Sequence, residues 1–204
     1  FSATPTGETR LPTVPDDSLG IGLTTGIIGV TIVGALRGER DSKSERTGLR
    51  RVGSAFELGG AFDYWLADWM RARVRVKRGL AGHNGWIGDI GSDFFTSAGP
   101  LTLVAGPRLG FGDNAYMDKY FGVTPLEVAA SPVISSSYSA KAGMRHYGVA
   151  TGAVHRHGNW QEVAGVTWHR LAGNAAKSPI VTQAGAANQF IITMGIMYSF
   201  CVGN

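Results

Sequence analysis

The chain has 204 residues, with 30 glycines, one cysteine and a formal net charge of +4. It contains no apolar run of about 18 residues or more, which excludes a helical membrane span but not a β-barrel, whose alternating strands leave little mark on hydropathy. The lone Cys201 excludes an internal disulfide, and the mild positive charge forms no basic helix or aromatic-interleaved patch of the kind that binds nucleic acid.

Residues 1–17, with Pro5, Pro12, Pro15 and Asp16-Asp17, read as loop. Leu19–Thr25 predicts a first strand, turned at Thr24-Thr25-Gly26, and Ile27–Leu36 a second. A long charged loop spans 37–52. Ala55–Tyr64 is a third strand, turned by Leu66-Ala67-Asp68, and Met70–Arg78 a fourth. After a glycine-bearing connection come Trp86–Phe95, a turn at Ser97-Ala98-Gly99-Pro100, and Leu101–Phe111. A long segment, 112–142, carries Pro125 and Pro132. Gly143–His155 and Trp160–Leu171 are joined at His157-Gly158-Asn159, and a loop over 172–187 leads to the closing strand, Asn188–Phe200. There Phe190, Ile192, Met194, Ile196, Tyr198 and Phe200 share one face.

These nine strands predict an all-β, antiparallel up-and-down transmembrane β-barrel in a single domain. Short and longer connections alternate along the chain, which puts every short turn at one end of the sheet and every longer loop (37–52, 112–142, 172–187) at the other. Outer-membrane barrels segregate their loops in this way. Bacterial barrels also have an even strand number, so ten to twelve strands are expected in the full protein. Phe1 opens a polar, proline-bearing stretch rather than a signal peptide, and the gene product is expected to begin further upstream with one.

The fourth strand places Arg71, Arg73, Arg75 and Lys77 on one face, with Met70, Ala72, Val74 and Val76 on the other. Cations facing lipid at mid-bilayer cost about 2–4 kcal/mol each, so the basic face is expected to point into the barrel. Glu57 and Asp63 on the third strand and Asp89 and Asp93 on the fifth supply counter-charges. Acids and bases look roughly balanced, which favours a network that fills the lumen over an anion-selective constriction.

Aromatic residues gather at two levels. Tyr64, Trp65, Trp69, Phe94, Phe95, Trp160, Tyr198 and Phe200 lie beside the short turns or at the end of the closing strand; Trp86, Phe111, Tyr116, Tyr120, Phe121, Trp168 and Phe190 lie beside or within the longer loops. Two interfacial girdles are the expectation. His155 and His157 share a face without a further ligand cluster, and no nucleophile, base and orienting group stand together. Neither a metal, a cofactor nor an enzymatic activity is expected.

The segment Trp168-His169-Arg170-Leu171, the run Ser178-Pro179-Ile180-Val181, then Asn188-Gln189 and Tyr198-Ser199-Phe200 resemble the end of the MipA/OmpV (MltA-interacting protein) family of outer-membrane proteins. Glu57-Leu58-Gly59-Gly60, Asp63-Tyr64-Trp65, Gly106-Pro107-Arg108 and Tyr116-Met117-Asp118 through Tyr120-Phe121-Gly122-Val123 extend the likeness over residues 16–200. Two departures stand out: Cys201-Val202-Gly203-Asn204 follow the final aromatic, where the family usually stops, and the signal peptide and further strands with which members begin are expected upstream of Phe1. The resemblance implies a barrel in the lipid of the Gram-negative outer membrane. The charged loop at 37–52, with Arg37, Arg40, Lys43, Arg46, Arg50 and Arg51, reads as solvated, with contact to lipopolysaccharide phosphates as the alternative. The resemblance also implies a scaffold role for periplasmic cell-wall enzymes, a lytic transglycosylase and a murein synthase, with no catalytic residues to carry over. The alternatives are a narrow anion-leaning pore, or a surface adhesin acting through the loops at 37–52 and 112–142.

Overall fold

The structure, a computed structural model, describes residues 19–40 and 47–198. Nine strands follow one another: β1 (Leu19–Thr25), β2 (Ile28–Arg37), β3 (Ala55–Ala67), β4 (Met70–Gly79), β5 (Trp86–Ala98), β6 (Leu101–Gly112), β7 (Gly143–His157), β8 (Trp160–Leu171) and β9 (Asn188–Tyr198). Each pairs antiparallel with its sequence neighbour, giving one sheet in the order β1 to β9. The sheet is up-and-down and curls into a half-barrel. Phe200 and the side chain of Tyr198, like the stretch 1–17 and part of the charged loop, lie outside the described residues.

The four short connections hold two residues each, at 26–27, 68–69, 99–100 and 158–159. Gly26, Gly99 and Gly158 take positive φ (53°, 60° and 57°) at the first loop position, where a type II′ hairpin turn requires glycine. Asp68-Trp69 manages without glycine. The ladder beside it slips at Trp65/Ala67, a bulge that absorbs the twist.

The faces of the sheet are inverted relative to a soluble protein. In β3 the exposed large side chains are Phe56, Leu58, Phe62, Tyr64 and Leu66, while Glu57 and Asp63 are buried. In β4, Val74 and Val76 are exposed and Arg71, Arg75 and Lys77 buried. Val30 and Ile32 of β2, Leu103 of β6, Val149 of β7 and Ile192, Met194 and Ile196 of β9 continue the apolar outer surface. Patches of this extent are foreign to soluble monomers. Among the described residues no helix is long and apolar enough to cross a membrane.

Glycines make the charged inner face possible. Across the ladders, Gly59 sits opposite Lys77, Gly91 opposite Arg108, Gly110 opposite His146 and Gly148 opposite His169. A Cβ at Gly110 would meet the His146 imidazole, and one at Gly148 the His169 ring and the Trp168 carbonyl. Long polar side chains therefore lie sideways over their glycine neighbours. Gly106 is tighter still, because a Cβ there would run into the Ser92 carbonyl, which belongs to rigid backbone. Gly106→Ala is expected to destabilise the protein by about 1–3 kcal/mol through overpacking, read as a lower urea midpoint in detergent micelles.

Two long connections fold back over the end of the sheet opposite the two-residue turns. They carry four short helices: α1 (Asn114–Phe121), α2 (Pro125–Ala130), α3 (Gly173–Ala176) and α4 (Pro179–Thr182). Asp113 caps α1 by accepting the Tyr116 N–H at 2.8 Å, and Thr124 with Glu127 forms a full capping box on α2. The aromatics of this region do not join a girdle. Tyr116 and Phe121 are buried with Met117, Ile87, Leu171 and Val181 in a small hydrophobic core, and Tyr120 packs against it. They are held there because α1 turns inward over β5. The distinctive Ser178-Pro179-Ile180-Val181 run is a latch in the same plug. The Ser178 hydroxyl donates to the Phe121 carbonyl at 2.6 Å and accepts the Ile180 N–H, while Pro179 starts α4.

Candidate functional site

The inner face of the sheet is the candidate site. Arg71, Arg73, Arg75 and Lys77 line up along β4, and the register sets Arg71 beside Asp93, Arg73 beside Asp63, and Arg75 beside Asp89. Arg71 and Arg108 both bind Asp93, which is 1 % exposed. Arg73 donates to Asp63 through Nε and Nη2 at 2.6 and 3.0 Å, a bidentate fork. Asp89 is reached by Arg145 at 3.1 Å.

Nearest the helices, Glu57 is fully buried and gathers three donors. Lys77 lies at 2.9 Å, Arg37 at 2.6 Å and His83 Nε2 at 3.2 Å. The Gly85 N–H donates to His83 Nδ1, so that nitrogen is bare and the proton sits on Nε2, directed at Glu57. Tyr116 stands edge-on to His83 at 4.9 Å and links onward to Arg145 through its hydroxyl. The plug is thus tied to the strands by charge as well as by packing. At the opposite end the inner face closes on Trp65, Phe95 and Val104, with the Arg71 guanidinium against both rings.

Trp65 and Phe95, both grouped above with the interfacial aromatics, are therefore inner-face residues, stacked on each other at 5.2 Å. Parity decides this: Trp65 lies two positions after Asp63 and Phe95 two after Asp93, and two residues along a strand return to the same face. Tyr64, Trp69, Trp86 and Trp160 are exposed on the outer face, and Phe111 and Trp168 are partly covered there. The side chains at Arg37, Arg108, Arg145 and Arg156 also turn inward. With them, the strands direct eight cations inward (those four with Arg71, Arg73, Arg75 and Lys77) against four carboxylates, Glu57, Asp63, Asp89 and Asp93. The rough balance read from sequence does not hold on this face. Among the described residues no group of three or more His, Cys, Asp or Glu is placed to hold a metal ion.

Outside the strands, Glu127 joins α2 to the segment before β3. It accepts the Arg50 N–H at 2.7 Å and the Thr124 N–H and hydroxyl at 2.8 Å each. Burial pushes its carboxyl pKa up, but these donors and the Arg50 charge outweigh burial and hold it below the usual glutamate value. Burial, then the neighbouring Tyr116, pushes the Tyr120 hydroxyl up to about 12. A lowered folded-state pKa means that Glu127 stabilises docking fully above the ordinary glutamate value of about 4.3, and that this contribution fades as the pH falls through the lowered value. Limited proteolysis at 47–52 should accelerate on acidification, and Glu127→Gln should raise the rate at neutral pH while flattening that rise.

Comparison with protein-family models matches the MltA-interacting protein MipA family over residues 4–200. The same comparison against curated proteins and against solved structures returns no match. The match spans nearly the whole chain and meets an up-and-down sheet with an apolar exterior: the chain belongs to the MltA-interacting protein MipA family.

Proposed function

We propose that this protein is a β-barrel of the Gram-negative outer membrane that serves as a scaffold, presenting its two-residue turns to a periplasmic lytic transglycosylase and, through it, to a murein synthase. The observation that carries the membrane part is the inversion of the sheet, with apolar side chains outside and paired ions inside, as a barrel in lipid requires. The family carries the partner, since its description names interaction with MltA. The outer face suits lipid, and Arg78, stacked over Trp86 at 5.5 Å beside the longer loops, suits lipopolysaccharide phosphates. The pore and adhesin readings gain little. The inner face is crowded with ion pairs, and the segments at 112–142 and 172–187 pack on each other rather than projecting.

Photo-crosslinkers at Asp68, Pro100 and Asn159 test the reading. After gentle extraction, mass spectrometry should find one cell-wall enzyme crosslinked at the turns in stoichiometric amount. A barrel that comes out alone, or crosslinks only to lipopolysaccharide, would sink the scaffold.

A further inference from the structure

The inward charges are unevenly placed as well as unequal in number. All four inward carboxylates lie on β3 and β5. The strands β6 to β9 present no acid to the interior, because their single carboxylate, Glu162, is on the outer face with His155. Yet β7 turns Arg156 inward close to its two-residue turn. Its Nε and Nη2 are screened from solvent and meet no acceptor among the described residues. Directly across the ladder stands Gln161, 8 % exposed, whose Oε1 likewise has no donor. Thr102, also buried, lies on the adjoining strand β6, and the carbonyl of Pro100, in the turn just before β6, accepts the Arg156 backbone N–H.

We infer that this corner of the inner face binds a small oxyanion, with Arg156 as its charged anchor. A guanidinium presents parallel N–H donors that match two oxygens of a carboxylate or phosphate, and a partly buried one gains most from such a pairing. The Gln161 amide oxygen needs a donor, so the ligand carries a hydroxyl beside its anionic oxygens: hydrogen phosphate or a hydroxycarboxylate fits both demands. The excess of inward cations draws such an anion into the interior. Arg156 as a whole is only partly buried, at the end of the sheet that carries the two-residue turns, so a ligand arriving from that end meets its side chain, and a rotation of the guanidinium brings Nε and Nη2 to it. This site needs no partner protein, and it stands or falls apart from the scaffold.

Inorganic phosphate is the probe, titrated calorimetrically into the folded full chain in detergent at constant ionic strength. One saturable site is expected, weakened at least tenfold in Arg156→Gln and unchanged in Lys177→Gln on an exposed loop. Absence of saturable binding, or equal affinity in Arg156→Gln, overturns the inference. Should Arg156→Gln fail to fold, Gln161→Leu replaces it: a severalfold loss of affinity supports the site, and no loss overturns it.

Discussion

Asp93→Ala is expected to destabilise the protein by about 3–5 kcal/mol, the cost of stranding a buried charge. Asp93 is 1 % exposed and holds two guanidinium groups, those of Arg71 and Arg108. Arg71 is itself 2 % exposed and lies against Trp65 and Phe95, where water cannot replace a lost carboxylate. Asp63→Ala should cost less, because the Arg73 side chain keeps 12 % of its surface exposed and can turn toward solvent. In the double variant Arg71→Met, Asp93→Ala, much of the loss should return, since an apolar chain among aromatic rings needs no counter-charge. Urea midpoints of the folded barrel in detergent micelles measure all three. If Asp93→Ala moves the midpoint no further than a typical surface substitution, the ion network does not hold this end of the sheet together.

Much of this arrangement is legible in the residues, because a strand has only two faces. Once Arg71, Arg73, Arg75 and Lys77 are directed inward, period-two counting and pairing of neighbours bring Asp63 and Asp93 to them. The same counting places Trp65 inside. Its position next to a turn suggested an interfacial role, but parity outranks proximity to a turn when every second side chain is buried. Arg37, Arg108, Arg145 and Arg156 carry the same signal singly rather than as a row, and Arg145 is further hidden by the ladder slip at Gly110/Phe111. The plug is a different case. Its helices are short, with α3 and α4 of 4 residues each, and alternation says nothing about segments held by caps and tertiary packing. Ser178 is a motif residue in sequence; only the fold shows it clasping the Phe121 carbonyl.

Val74→Arg separates a membrane sheet from a soluble one. Val74 sits in the middle of β4, 44 % exposed, and its ladder partners Phe62 and Ile90 are exposed on the same face. In a water-soluble protein a substitution at so exposed a position would change stability by about 0.5 kcal/mol or less. Facing the bilayer midplane it should cost about 2–4 kcal/mol, while Leu66→Arg, beside the turn at Asp68-Trp69, should cost only about 0–1 kcal/mol because the guanidinium reaches the headgroups. Urea-driven folding into lipid vesicles measures both, and equal costs at the two depths would defeat the membrane-spanning reading. The contrast is sharp because Val74 lies between Arg73 and Arg75, two cations that the protein already accommodates on the opposite face. The same guanidinium is tolerated or costly one residue apart, so what discriminates is the face it is given and the carboxylate or lipid that meets it there.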